Sequence, residues 1–230
     1  MGDKKRSGWF YVFVGCGLLM LVSVILVGVG TFLAVRWGQD LKQGLEDPAT
    51  RTAGAKELLG AAELPAGYHA AVHIRFPLGL GRMVVLTDGK PTDKPDSLGD
   101  SDHLFIYMEG PGWDSDWKAF AAGGEPPFDN LDELGIHVDG GQRLSSGDFT
   151  SGNMEVFYAT HRGGVSGEHF DSDDGVFAIA LVRCMPGDGH SRTILWAGPP
   201  PADDAEDRVK GTTGDPERIR GLLGNFSLCG

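Results

Sequence analysis

Val176–Cys184 reads VFAIALVRC, the clearest strand in the chain. It is apolar almost throughout and follows the breaker pair Asp174-Gly175, the length and punctuation of a strand rather than a helix. Asp188-Gly189 then offers a tight turn into a second run of the same kind, Ser191–Ala197 (SRTILWA). Upstream, Arg143–Phe149 and Asn153–His161 read as a strand pair, and His103–Glu109 (HLFIYME) as another strand. Tyr68–Phe76 (YHAAVHIRF) and Arg82–Thr87 (RMVVLT) flank a short Pro/Gly segment and predict a hairpin. Strands connected in this way predict an antiparallel sheet.

Helix signals lie between and around these runs. Asp215 is an N-cap with Pro216 in the first position, and Ile219, Leu222, Leu223 and Phe226 then fall at i, i+3, i+4, i+7. That spacing makes one apolar stripe, suited to lie on a sheet. Pro111-Gly112 ends the third strand, after which Asp114 caps a short helix carrying Trp113, Trp117 and Phe120, and Asp129–Leu134 adds a further turn. Asp47-Pro48 starts a helix that runs to about Leu59, with Gly60 as its stop. Gly89–Asp102 and Gly198–Gly214 are polar, Pro/Asp-rich loops. The predicted fold class is α+β, an antiparallel sheet of about six or seven strands with packed helices.

This element order, over residues 48–228, resembles the antiparallel α+β sandwiches of the Mog1/PsbP-like kind. The chain also resembles small bacterial membrane-anchored proteins that carry a Leu64–Tyr68 turn (LPAGY) after a stalk and then a short strand ending in Met83–Leu86 (MVVL). The resemblance implies an architecture, an anchored extracytoplasmic domain, and transfers no site.

The N-terminal region has a different composition. Trp9–Val35 (WFYVFVGCGLLMLVSVILVGVGTFLAV) is 27 residues without an acid or a base. As a helix it would reach about 40 Å, more than a ~30 Å hydrocarbon core needs. Trp9, Phe10 and Tyr11 at one end and Trp37 at the other suit the two headgroup interfaces. A cleaved signal peptide has a shorter apolar region and a better small-x-small site than Gly28-Val29-Gly30, and Phe13-Val14-Gly15 before Cys16 is a poor lipobox. The expected domains are therefore a cytoplasmic flank at 1–8, a transmembrane helix at 9–36, a helical stalk at 37–64 and an extracytoplasmic domain at 65–230. Lys4, Lys5 and Arg6 beside the amino terminus favour a cytoplasmic N-terminus by the positive-inside rule. The expected localisation is the cell membrane, single-pass, with the bilayer as partner through residues 9–36.

The chain carries 20 basic and 32 acidic residues, a formal charge of −12. That excludes a nucleic-acid binder, which needs a basic face to displace counterions. The first 36 residues hold four bases and one acid, so the remainder stands at −15 and would be held off an anionic leaflet. Cys16 lies in the apolar segment, whereas Cys184 ends the strongest strand and Cys229 follows the last helix. A helix folding back across the sheet brings Cys184 and Cys229 within reach of a disulfide, conditional on an oxidising compartment. The alternative is two unrelated buried thiols.

Motifs for chemistry are sparse. His161 and His169, with Glu168, Asp171, Asp173 and Asp174 nearby, match no metal-ligand spacing and read as a solvated, Gly-rich hairpin tip ending in an Asp-Gly turn. The acidic stretches Asp93–Asp102 and Asp171–Asp174 lack the alternation and twelfth-position Glu of a calcium loop. Gly164-Val165-Ser166-Gly167 is not a nucleophile elbow, and Gly79-Leu80-Gly81 stands alone as a turn rather than a phosphate loop. His69, His73 and Arg75 share one parity of the first strand and read as its solvated side, with an anion site as the sharper alternative. Trp113, Trp117 and Trp196 are expected in the core under the middle helix. No catalytic, cofactor-binding or metal site is expected. The leading expectation is a non-catalytic binding or envelope-assembly module whose partner is an unidentified membrane or envelope protein. The alternatives are a hydrolase drawing on scattered His and Asp, with His103 and His169 as residues to test, and a divalent-cation-responsive sensor.

Overall fold

The apolar runs pair into one antiparallel sheet of eight strands. The structure, a computed structural model, describes residues 47–89, 101–111, 136–167, 170–201 and 209–230, with Gly38 and Gly124. The expected transmembrane helix, the first part of the expected stalk, the helices at 113–120 and 129–134, and most of the two Pro/Asp-rich loops lie outside the described residues. Among the described residues no helix is long and apolar enough to cross a membrane. Leu41–Gly230 forms one compact unit.

In chain order the elements are α1 (Pro48–Leu59), β1 (His69–Arg75), β2 (Arg82–Thr87), β3 (Leu104–Pro111), β4 (His137–Val138), β5 (Gln142–Ser151), β6 (Met154–Gly167), β7 (Phe170–Cys184), β8 (His190–Gly198) and α2 (Pro216–Leu223). The sheet order is β1-β2-β3-β8-β7-β6-β4, with β5 also pairing β6. Two helices against eight strands make the described fold mostly β, where the sequence suggested a more even α+β division. The strand beyond the expected number is β4, two residues too short to show any period.

Alternation along the central strands explains two cores on one sheet. On β3, Phe105 and Tyr107 enter one cluster while Leu104, Ile106 and Met108 enter the other. On β7, Ala178, Ala180 and Val182 belong to the first cluster, and Phe177, Ile179 and Leu181 to the second. A strand buried on both faces reads as a continuous apolar run, which is why VFAIALVRC stood out. Both helices serve the first cluster, through Ala55, Leu58 and Leu59 of α1 and Ile219, Leu222 and Leu223 of α2.

Helix α1 is bounded where its cap residues predict. Asp47 accepts the N–H groups of Ala49 and Thr50, each at 3.2 Å. Gly60 ends it in the left-handed region at φ 60, and the N–H of Ala61 reaches back to the carbonyl of Lys56 at 2.9 Å. It is not a free stalk, however. Arg51, Gly54, Ala55 and Leu58 form a buried stripe that packs on the sheet beside β1. Small residues and an arginine give that stripe little apolar contrast, so only its caps were conspicuous in the sequence.

Strand β1 shows the same contact from the other side. Its register slips between Ala70 and Val72, a bulge that separates His69 from His73 and Arg75. His69 pairs opposite Thr87, which lies beside the second cluster, whereas His73 and Arg75 turn toward α1. The expected solvated His/Arg face is therefore corrected at His73, which is buried, whereas Arg75 is exposed as expected and pairs with Glu57 of α1 at 2.7 Å. His73 fits because Gly54 has no side chain; a Cβ there would overlap the imidazole.

A second correction concerns residues 163–175. The ladder between β6 and β7 continues past a bulge at Gly163/Val165 to the pair Gly167↔Phe170. Asp174-Gly175 thus sits inside a strand, with Gly175 opposite Gly163, and makes no turn. The glycines that looked like loop punctuation are bulge and close-approach positions instead.

Gly54→Ala gains about 1 kcal/mol in helix propensity but must displace a buried ring, an overpacking cost of about 1–3 kcal/mol. The expected result is a lower urea midpoint for Gly54→Ala, recovered when His73→Ala is combined with it. A midpoint equal to or above that of the parent chain would show that α1 does not rest on His73.

Candidate functional site

The helix-bearing stripe of β3 runs Phe105, Tyr107, Glu109 and so ends in a carboxyl group. Register places Arg82 of β2 and Arg192 of β8 directly opposite Glu109 on its two sides. Cross-strand opposites face the same side of a sheet, so two guanidinium groups flank one carboxylate. Glu109 is only 3% exposed. Its Oε1 accepts Arg82 Nε at 2.8 Å, with Arg82 Nη2 on the same oxygen, and its Oε2 accepts the Tyr107 hydroxyl at 2.8 Å. Arg192 Nε stands 3.8 Å from Oε2 and has no hydrogen-bond partner among the described residues, and His190 Nδ1 stands 3.8 Å from Oε1.

Arg192 is held mainly by Asp188, whose carboxylate accepts Nη1 at 3.0 Å and also Nη2. That bond holds the Asp188 carboxyl well below the usual range, against the smaller effect of burial. Burial, together with the neighbouring Glu109 charge, pushes the Tyr107 phenol up, so it remains a neutral donor. Two arginines and two carboxylates balance, and their hydrogen bonds run largely to one another. The network locks β2, β3 and β8 in register; a ligand would have to displace an existing partner to enter.

A second polar group lies where β2 runs out and β3 begins. Asp88 accepts the His103 backbone N–H at 2.8 Å, and its other oxygen is 2.6 Å from His103 Nδ1. Burial opposes ionisation of Asp88, but these His103 contacts outweigh it and its carboxyl is lowered. The ring lies over Gly198, where a Cβ would come within 2.8 Å of Cδ2. A carboxylate orienting an imidazole is two-thirds of a nucleophilic triad. Among the described residues no hydroxyl or thiol is hydrogen-bonded to His103, and Thr213 donates instead to the Val176 carbonyl.

Cys184 and Cys229 are disulfide-bonded, with their Cα atoms 5.4 Å apart and a sequence separation of 45. The segment after α2 reaches that position through other ties as well. The N–H of Ser227 donates to the Leu59 carbonyl at 3.0 Å, the Phe226 and Phe105 ring centroids are 5.4 Å apart, and Asn153 Nδ2 donates to the Cys229 carbonyl at 2.7 Å.

The remaining residues singled out in the sequence are dispersed. His161 is buried on β6, with its ring stacked on Phe177 at 5.4 Å, and is not on a solvated tip. Asp174 is engaged by Arg162 in two bonds of 2.8 Å, which lower its carboxyl. His169, Glu168 and the side chains of Asp171 and Asp173 lie outside the described residues, as do Asp93–Asp100, Trp113 and Trp117. Trp196 is buried in the first cluster, donating to the Tyr68 hydroxyl at 2.8 Å, with Arg218 over its ring at 5.5 Å. Among the described residues no group of three or more His, Cys, Asp or Glu is placed to hold a metal ion.

Sequence reading missed Glu109, Arg82 and Arg192, because each closes an apolar strand where a charge passes for a boundary residue. The Asp88–His103 pair was equally hidden, its members being 15 residues apart across a long loop. Comparison with protein families, with characterised proteins and with solved structures yields no match to the chain.

Removing a buried carboxylate that is bonded to Arg82 and flanked by the buried Arg192 should be costly. Glu109→Ala is expected to lose about 3–5 kcal/mol of unfolding free energy in urea, and an unchanged midpoint would contradict the network. Asp88 and Asp188 have depressed folded-state values, so the unfolded chain binds protons first on acidification. Their contribution is complete above about pH 4 and drains away as pH falls further. Asp188→Asn should therefore flatten the fall in stability between about pH 4 and 2.

Proposed function

We propose that this chain is a single-pass, membrane-anchored protein whose C-terminal domain is extracytoplasmic and works as a non-catalytic binding or envelope-assembly module. The observation that carries the reading is the Cys184–Cys229 disulfide. Structural disulfides persist in oxidising compartments and are rare in a reducing cytosol. The apolar run Trp9–Val35 supplies a segment of spanning length, and Lys4, Lys5 and Arg6 precede it. On this reading the bilayer is the partner through residues 9–36, and a second membrane or envelope protein is the partner of the folded part. The finer fold reading, α+β with further helices at 113–120 and 129–134, belongs to the same proposal, as does the kinship with bacterial anchored proteins of this architecture.

The Asp88–His103 pair is the observation that favours a second reading, an extracytoplasmic hydrolase. Turnover of any substrate in a hydrolase panel, abolished by His103→Ala in a variant with an unchanged melting temperature, would establish it.

Topology is tested by fusing alkaline phosphatase or a green fluorescent protein after Gly230 of the full chain in a bacterial host. Phosphatase is active only when exported, and the fluorescent protein, exported in the unfolded state, only when retained. High phosphatase activity with dark fluorescence is expected; bright fluorescence with inactive phosphatase would overturn the extracytoplasmic assignment.

A further inference from the structure

Beside the self-neutralised network at β3, one pair of side chains is buried with its polar atoms unanswered. Arg143 of β5 and His161 of β6 are direct cross-strand partners. Opposite residues of an antiparallel pair project to the same face, about 5 Å apart at their Cβ atoms. Both lie on the side of the second cluster, where the His161 ring stacks on Phe177. The Nε and Nη2 atoms of Arg143 and Nε2 of His161 are all buried and have no hydrogen-bond partner among the described residues. His161 itself is 7% exposed and Arg143 is half-buried, so the two donor nitrogens lie beneath the surface at the end of a partly exposed side chain.

We propose that this pair is a binding site for a small oxyanion, the carboxylate of an organic acid or a phosphate group. Nε and Nη2 are the two donors of one guanidinium edge, spaced to meet two oxygens of such a group side by side. His161 is fixed by its other nitrogen: Nδ1 is 2.8 Å from the Gly140 carbonyl and so donates its proton there. Nε2 then carries the lone pair and takes a hydrogen bond from a ligand O–H, as on a hydrogen phosphate or a hydroxy acid.

Two features of the backbone build the position. The register of β5 shifts between Arg143 and Ser145, and that of β6 against β7 shifts between Gly163 and Val165, so a bulge lies on each side of the pair. The 139–141 segment is pressed against β6 so closely that a Cβ at Gly141 would overlap the Arg162 carbonyl, which holds Gly140 over the imidazole. Charge makes the vacancy of the fork telling. The chain has 32 acidic side chains for 20 basic ones, and Arg162, adjacent to His161, takes a carboxylate from Asp174 in two bonds. Leaving buried donors unpaired costs their full desolvation, a penalty that an oxyanion in the site removes. The inference is independent of the anchoring proposal, since it requires neither the N-terminal segment nor a side of the membrane.

The test is a thermal-shift titration of the full chain in detergent with sodium phosphate, sodium acetate and sodium lactate, each against sodium chloride at equal ionic strength. A saturable rise in melting temperature with at least one of them is expected, and the anion that acts at the lowest concentration identifies the class. Arg143→Lys keeps the charge and the stem but loses the two-donor edge, so it should weaken the apparent affinity about tenfold or more. His161→Gln should reduce the preference for lactate over acetate. A purely structural role for Arg143 would lower the melting temperature of Arg143→Lys and leave the anion-dependent increment intact. That outcome, or the lack of any saturable shift beyond chloride in the parent chain, would overturn the site. Should Arg143→Lys fail to fold, the Arg143 Nε–H resonance of the parent chain must move on titration with the active anion; a stationary resonance rejects the proposal.

Discussion

Burial of β3, β8 and β7 on both faces is the constraint from which the rest of the architecture follows. These strands expose neither side of their pleat, so every backbone group must be answered in the ladder and every inward charge by a cross-strand neighbour. Charges are consequently driven to strand ends. There they meet in register: Glu109 between Arg82 and Arg192, and Asp88 against His103. The same constraint places both helices on one face, where small side chains alternate with large ones, as Ala178 and Ala180 do opposite Trp196 and Ile194.

The C-terminus is the keystone of that helix-bearing face. After α2 the chain crosses beneath the end of α1, donates Ser227 N–H to Leu59, and is bonded through Cys229 to the end of β7. Closing a loop of this length removes chain entropy from the unfolded state, worth about 4 kcal/mol in the loop-closure model. The bridge therefore joins the last residues of the chain to its central strand, and with them the first helix of the domain. Reduction is expected to loosen α1 and α2 together, because they meet at the same turn.

Much of this was readable in the residues, and the failures have physical causes. Strands β2 and β7, both helix caps and the α2 stripe are legible because a long apolar run or a cap residue has one good interpretation. The packing of α1 was not, since its buried stripe is made of Arg51, Gly54 and Ala55, residues equally at home in a solvated helix. The β6–β7 extension was masked by Gly163, Gly164, Gly167 and Gly175, whose places in or beside a bulged ladder depend on a partner strand that a local window cannot contain. The site residues were harder still. Arg143, His161 and Glu109 carry no motif, and what distinguishes them is which neighbour they lack or share across the sheet, a property of register alone.

Functionally, the described residues combine a locked ionic network, an imidazole–carboxylate pair without an adjoining nucleophile among them, and a guanidinium edge of Arg143 without a partner among them. We propose recognition rather than turnover as the domain's role. Its central claim, a domain stapled at Cys184–Cys229 in an oxidising compartment, is tested most directly by non-reducing peptide mapping of the protein taken from its native membrane, with free thiols alkylated before lysis. A linked peptide pair containing Cys184 and Cys229 is the result the account predicts. Recovery of both residues as alkylated free thiols would contradict it, removing the staple and the extracytoplasmic placement together.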